Sequence, residues 1–364
     1  MKIYLTPGPS ENYFVVEEAI KEALQNKVTA ISHRSKEFKD IFEHTVTQLR
    51  KLLEIPADFS IAFTGSANEI WQQILQSCVE KESFHLVNGA FSKKFYEFGA
   101  ELNLNSSKYE VDFGKGFLVE NIHVPDSAEL VAVIHNESSS GVQFPIENIT
   151  KIREQINNHN EDKLIVVDAV SSLPHANFDF SVIDSLYFSV QKGFGLPAGL
   201  GVWIYNQKMI NKAKTLKAKG KSIGTYHSLL ELDKYAQDNQ TSETPNVLGI
   251  FVLGKVIESM NKKGIDMIRR ETDYKAELIY HTLEQSEFLS PLVIEKSHRS
   301  KTVIVANVKK GTSSDVIAFL EKKGIIVGKG YGIFKDSQIR IANFPTHSKE
   351  LVEQVADFLM EYGK

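Results

Sequence analysis

The chain has 364 residues, of which 42% are apolar and 24% charged, an ordinary globular composition spread over more chain than one small core needs. Its net charge of -4 excludes a general electrostatic pull toward nucleic acid or acidic membrane. A single cysteine, Cys78, excludes an intrachain disulfide, and the 11 histidines show no HExxH or Cys/His ligand spacing, so no dedicated metal site is expected. No apolar run reaches membrane-spanning length, and the opening MKIYLTPGPS lacks the apolar core of a signal peptide. The expectation is a cytoplasmic protein with neither nucleic-acid nor membrane partners.

From about residue 60 to 205, short apolar strands alternate with helical stretches. Ile61–Phe63 leads through Thr64-Gly65 into a helix over Ser66–Val79. Phe84–Val87 precedes a helix over Phe91–Leu102. Leu130–Ile134 is a continuous apolar run, followed by a helix over Asn148–Asn157. Leu164–Val167, Leu186–Val190 and Gly201–Tyr205 complete the strands. The alternation predicts an α/β protein whose large domain, residues 14–250, holds a mainly parallel sheet covered by helices. Residues 208–221 carry six lysines and no acid, the pattern of a solvated helix. Thr244-Pro245-Asn246 opens a long helix to about Lys263. Strands over Val303–Val308, Ile325–Val327 and Gln338–Ala342, with helices over Ser314–Lys322 and Ser348–Tyr362, predict a smaller α+β domain. It is placed at residues 251–364, joined by residues 1–13.

Ligands of such sheets bind at the carboxyl ends of strands, so the residues just after each strand carry the chemistry. Lys192 follows an apolar strand and opens a glycine-rich turn, Gly193-Phe194-Gly195. A lysine held among apolar neighbours loses its proton readily and becomes an amine nucleophile. The same turn matches a loose GxGxxA dinucleotide pattern, but no acid appears between Gly193 and Glu231, and another strand follows instead of a helix. Asp168 ends the buried run Leu164-Ile165-Val166-Val167. A carboxylate there, near Lys192, suits a pyridinium nitrogen that must stay protonated. Thr64-Gly65-Ser66-Ala67-Asn68 runs into a helix N-terminus, where free N–H groups favour an anion; Ser66 with Glu69 also fits an ordinary capping box. Cradle, carboxylate and amine together point to one cofactor, pyridoxal 5'-phosphate.

Six motifs in order, Leu5-Thr6-Pro7-Gly8-Pro9, Ser32-His33-Arg34-Ser35-Lys36-Glu37-Phe38, Asn136-Glu137-Ser138-Ser139-Ser140-Gly141, Asp168-Ala169-Val170-Ser171-Ser172, Gln191-Lys192-Gly193-Phe194-Gly195 and Thr244-Pro245, resemble the class V aminotransferases. These belong to the pyridoxal-phosphate fold type I group, and the resemblance is greatest to its phosphoserine aminotransferase branch. It covers nearly the whole chain and implies a seven-stranded sheet in the large domain. It also implies that Lys192 carries the cofactor and shuttles the substrate proton, while Asp168 pairs with the pyridine nitrogen. Phe91 and Val170 then flank the ring, and Ser138 bonds its phenolic oxygen. Backbone groups of Ser66 and Ala67 hold the phosphate with Gln191, and Thr244 reaches it from the second subunit of a homodimer. His33 and Arg34 match binders of a substrate phospho group, and Arg340 matches the arginine for the substrate carboxylate.

The implied reaction moves an amino group between glutamate and an oxo-acid, 3-phosphohydroxypyruvate in serine biosynthesis. The alternative is an alanine–glyoxylate or serine–pyruvate type of transaminase. A cysteine desulfurase needs a catalytic thiol on a loop, and Cys78 falls in a helix. A non-enzymatic binding module would lack Lys192 or Asp168. The chain departs from the pattern in two places. Glu243 stands where asparagine usually precedes the threonine, and Gly328–Asp336 replaces a His-Arg pair and paired glycines, leaving Lys329 and Lys335 as the available cations.

The pentapeptide Ser-His-Arg-Ser-Lys occurs twice, at residues 32–36 and 297–301. The flanks differ. The first copy starts a helix with Ser32 as its cap and borders the site, whereas the second enters a strand, where Arg299 has a structural role.

Overall fold

The computed structural model describes residues 2–157 and 163–363. In chain order its strands are β1 (Ile3–Leu5), β2 (Ser60–Thr64), β3 (Glu82–Val87), β4 (Asn105–Glu110), β5 (Leu130–Ile134), β6 (Asn136–Glu137) and β7 (Val142–Gln143). They continue as β8 (Leu164–Asp168), β9 (Ser185–Ser189), β10 (Gly201–Tyr205), β11 (Leu289–Pro291), β12 (Val303–Val308), β13 (Ile325–Lys329) and β14 (Gln338–Ala342). The helices are α1 (Val16–Gln25), α2 (Lys36–Leu53), α3 (Ala67–Cys78), α4 (Ala90–Glu101), α5 (Ile146–Asn157) and α6 (Gln207–Ala218). After them come α7 (Leu229–Ala236), α8 (Val247–Lys263), α9 (Ile265–Gln285), α10 (Ser313–Lys322) and α11 (Lys349–Glu361).

Seven strands form the main sheet in the order β2-β10-β9-β8-β5-β3-β4. Only β10 runs antiparallel to its neighbours. Both faces are covered. In β10, Val202 and Ile204 enter one apolar cluster, and Trp203 and Tyr205 enter the other. That two-sided burial is why these strands read as unbroken apolar runs rather than alternating ones. The seventh strand, β4, escapes such a reading because its sequence, NSSKYE, is polar and lies at the sheet edge.

A five-stranded sheet, ordered β1-β13-β14-β12-β11, forms the second layer system. The N-terminal β1 pairs in parallel with β13, which ties residues 3–5 to the C-terminal part of the chain. The expected boundary is residue 250. It falls inside α8, whose apolar face from Val247 to Met260 packs in the main core, and Ile268 of α9 still belongs there. Ala276, Ile279, Tyr280 and Leu283 of α9 belong to the second core. The change of core thus occurs along a continuous helix, where no break in composition marks it.

Helix starts follow their caps. Ser66 caps α3, its Oγ accepting from the Glu69 N–H at 3.3 Å. Asn246 caps α8, accepting from the Gly249 N–H at 2.8 Å. For α2 the cap is Ser35, not Ser32: Ser35 Oγ accepts from the Phe38 N–H at 3.2 Å, while Ser32 Oγ accepts from the Arg34 N–H. The serine nearer the first apolar residue is the one in reach of the helix's free donors.

Candidate active site

Several strand ends converge on a cavity of about 180 Å³ at the carboxyl edge of the main sheet, between β5, β8 and β9. Phe91, Ser138, Asp168, Val170, Gln191 and Lys192 all line it. Lys192 follows β9 in a turn closed by the Gly195 N–H donating to the Lys192 carbonyl at 2.9 Å. Gly193 lets that turn press on Leu173, whose carbonyl oxygen would stand 2.0 Å from any added Cβ. On the opposite side Gly8, at φ +133, approaches so closely that a Cβ would lie 2.8 Å from Lys192 Cε.

The Lys192 amine donates to Ser138 Oγ at 3.4 Å and lies 5.5 Å from the Phe91 ring centre. Burial lowers its pKa to about 8; the negative charge of Asp168 opposes this and the positive charge of Arg340 adds to it. Asp168 ends β8, beside Ile134 of β5. Its Oδ1 accepts from the Val170 N–H at 2.9 Å and its Oδ2 from Trp71 Nε1 at 3.0 Å. Burial nonetheless raises its pKa to about 6.

Two supporting residues escaped the sequence reading. Trp71 looks like part of the apolar stripe of α3, yet Asn68 and Trp71, three positions apart, share the face that lines the cavity. Glu137 is fully buried and caps α4, accepting from the Ser92 N–H at 2.9 Å, Ser92 Oγ at 2.9 Å and Ser139 Oγ at 2.6 Å. A carboxylate at a helix N-terminus is favoured by the dipole, and here it fixes the turn that presents Phe91. The signal for Glu137 was its place in the Asn136–Gly141 motif. Trp71 left no signal beyond helical spacing.

The N-terminus of α3 borders the same cavity. Ala67 N–H donates to Ser189 Oγ at 3.0 Å, and Glu69 Oε2 accepts from the Gly65 N–H at 2.9 Å. Glu69 therefore reaches one residue further back than a capping box requires. Among the described residues the N–H groups of Ser66 and Asn68 find no acceptor. Gln191 Oε1 and Asn136 Oδ1 are buried without a partner.

Arg340 on β14 stands at the cavity's edge. Its Nε donates to the Lys329 carbonyl at 2.8 Å and its Nη1 to the Ser138 carbonyl at 3.2 Å. Tyr331 spans from this guanidinium, 5.5 Å from its ring centre, to Phe91 at 5.4 Å. Lys329, a possible replacement cation, instead turns its amine toward Ser314 Oγ at 3.5 Å. Val111, Phe113, Tyr331, Ile333 and Phe334 line an adjoining groove of about 300 Å³, with Lys93 at its margin.

His33, Arg34 and Thr244 do not line the Lys192 cavity of their own chain. Arg34 donates to Gln240 Oε1 at 2.7 Å and to the Thr241 carbonyl at 2.8 Å, and stacks 4.5 Å from the Tyr235 ring centre. Thr244 lines a second cavity, of about 240 Å³, with Gly65, Glu69, His227 and Glu243. His33 and Arg34 are grouped with the Thr244 segment, because Arg34 grips residues 240–242. Burial and the neighbouring Arg34 lower the His33 pKa. In the second pentapeptide Arg299 is buried, with Nε donating to the Val293 carbonyl at 3.0 Å and Nη1 to Glu284 Oε1 at 2.6 Å.

The Lys192 cavity fits pyridoxal phosphate. It offers apolar walls in Phe91 and Val170, a buried carboxylate fixed by two donors, an amine of lowered basicity, and a helix N-terminus whose Ser66 and Asn68 N–H groups are free among the described residues. With a mainly parallel sheet behind it, this constellation defines a pyridoxal-phosphate-dependent transferase. Residues 3–334 match the family model of the class V aminotransferases, and the chain belongs to that family. It is 27% identical over 354 residues to a phosphoserine aminotransferase of Rhodococcus opacus (strain B4), covering 96% of this chain and 91% of that one. The crystal structure of a phosphoserine aminotransferase SerC from Cytophaga hutchinsonii superposes with a TM-score of 0.97 at 49% identity, covering 100% of this chain and 99% of the other. An alanine–glyoxylate aminotransferase from Nostoc sp. shares the fold, with a TM-score of 0.84 at 19% identity over 99% of this chain and 94% of that one.

Proposed function

We propose that this pyridoxal-phosphate-dependent aminotransferase moves an amino group between glutamate and 3-phosphohydroxypyruvate, yielding phosphoserine, as a cytoplasmic homodimer of serine biosynthesis. The observation that carries the reading is that the buried Lys192 amine and the Asp168 carboxylate line one cavity with Phe91, Ser138, Val170 and Gln191. The names of the relatives that span nearly the whole chain support the substrate.

Bound pyridoxal phosphate supplies the electron sink that makes the substrate Cα–H bond acidic. Asp168, held by Trp71 and Val170, presents the negative charge that keeps the pyridine nitrogen protonated. Phe91 and Val170 would hold the faces of the ring, and Ser138 Oγ would bond its phenolic oxygen. The Ser66 N–H, which has no acceptor among the described residues, and the Ala67 N–H, on leaving Ser189 Oγ, would hold the phosphate with Gln191. Lys192 Nζ would hold the group and, when free, would take the proton at substrate Cα, a task suited to an amine whose basicity is lowered by burial. Arg340 binds the substrate carboxylate and excludes substrates lacking one. His33, Arg34 and Thr244, which lie together, act on the partner's site, with Thr244 at the phosphate and the other two at the substrate phospho group.

Half-reactions with phosphoserine, alanine and serine, followed through the cofactor's absorbance, test this. Phosphoserine is expected to react with the highest kcat/KM, and Lys192→Ala to lose both absorbance and turnover. The apolar groove lined by Phe113, Ile333 and Phe334 favours a second reading, a transaminase of small unphosphorylated substrates. Equal or better reaction with alanine selects that reading, and a protein that takes up no pyridoxal phosphate refutes both.

A further inference from the structure

His227 stands between two carboxylates at the Gly65 end of the phosphate cradle. Its Nδ1 contacts Glu69 Oε1, and its Nε2 lies 3.6 Å from Glu243 Oε2. Tyr226 packs on the ring at 4.0 Å between centres. All four residues line the 240 Å³ cavity that also contains Gly65 and Thr244. Glu69 is in the first turn of α3, assigned to the phosphate of its own chain's site, and Glu243 adjoins Thr244, assigned to the phosphate of the partner's site, so each negative charge borders a phosphate contact. An anion beside these charges is repelled over short distances with little screening.

The remaining contacts hold the two acids in specific directions. Glu69 is fixed by the Gly65 N–H at 2.9 Å and by Gln73 Nε2 at 3.3 Å. Glu243 accepts from Ser242 Oγ at 2.5 Å, and the Thr241 hydroxyl donates to its backbone carbonyl at 2.7 Å. Arg34 fastens residues 240–242 but reaches carbonyls and an amide, not the Glu243 carboxylate. Among the described residues, His227 is the basic side chain that bridges Glu69 and Glu243. Each ring nitrogen thus faces one carboxylate, and the imidazole stands between the two acids.

We propose that His227 is a positioning residue for phosphate recognition: set between Glu69 and Glu243, it keeps both carboxylates turned toward its ring and away from the phosphate contacts, and so permits a glutamate next to Thr244. The inference rests on the reading of the α3 N-terminus and Thr244 as phosphate contacts. It assigns His227 no contact with substrate or ring, and predicts an effect that depends on the ligand's phosphate.

The test compares pyridoxal 5'-phosphate with pyridoxal, each titrated into cofactor-stripped full-length protein while tryptophan fluorescence is followed. Trp71 bonds Asp168 in the cavity and serves as the reporter. His227→Ala is expected to weaken pyridoxal 5'-phosphate binding about five- to tenfold while leaving pyridoxal within about twofold, as a change of local charge requires. Glu243→Gln added to His227→Ala is expected to restore most of the loss. His227→Gln, which reaches one carboxylate at a time, replaces the alanine variant if that does not fold. An unchanged affinity for pyridoxal 5'-phosphate, an equal loss for pyridoxal, or no recovery with Glu243→Gln overturns the proposal. If the unmodified protein binds neither ligand, the cofactor reading itself fails and not this inference alone.

Discussion

Replacing Trp71 with phenylalanine isolates the indole's hydrogen bond to Asp168. The ring stacks on Phe95 at 5.1 Å and 12°, and meets Phe98 edge-on at 5.6 Å, so a phenyl group keeps most of the apolar contact. The smaller ring leaves a void costing about 1–2 kcal/mol, independent of pH. The N–H to Asp168 Oδ2, 3.0 Å long, contributes about 1.5–3 kcal/mol to an ionised carboxylate and about 0.5–1.5 kcal/mol to a neutral one. The variant therefore loses roughly 1–1.5 kcal/mol more where Asp168 is charged than where it is protonated. Burial raises the folded-state pKa of Asp168 from 3.8 to about 6. The stability gained from its protonation is present in full below the unfolded value and is lost as pH rises through the folded one. Removing the indole donor raises the folded value further, so the variant loses more over the same rise. Urea unfolding of cofactor-free protein, followed by circular dichroism at pH 5 and pH 8, measures the two losses. Equal losses at both pH values refute the assignment of Trp71 as the donor that holds Asp168 ionised.

Arg340→Lys keeps a positive charge but gives up the guanidinium fork and the two carbonyl bonds at Lys329 and Ser138; KM for amino-acid substrates is expected to rise about 10- to 100-fold, measured by steady-state kinetics. Arg34→Ala is expected to raise KM for phosphoserine more than for alanine, whereas Arg299→Ala leaves both KM values unchanged. Its cost is instead about 1–3 kcal/mol of stability, through lost bonds to Glu284 and the Val293 carbonyl, read by urea unfolding. Gly8→Ala pushes a methyl group against Lys192 and is expected to lower kcat about 10²-fold, as misplacement of a reacting group by about 1 Å does.

How far the sequence reveals this site depends on the distance over which each residue's role is decided. Lys192 and Asp168 are legible because charge at the end of an apolar strand is costly, and the cost marks a purpose within a few residues. The strands behind them are legible for the same reason, since burial on two faces leaves continuous apolar runs. β4 is not, because an edge strand facing solvent needs no such run. Trp71 is hidden by its own helix: its spacing satisfies the core pattern of α3, and only the approach of β8 gives its N–H an acceptor. His33 and Arg34 show the limit most sharply. Their motif identifies the chemistry, but Arg34 is bound to residues more than 200 positions away, in the segment that carries Thr244. Glu243 was visible as a departure from the family pattern, yet the histidine that accommodates it was not. A substitution that looks unfavourable in sequence is thus explained by a contact between α3, the Tyr226-His227 turn and the Thr244 segment. That contact has no signature in any one of them.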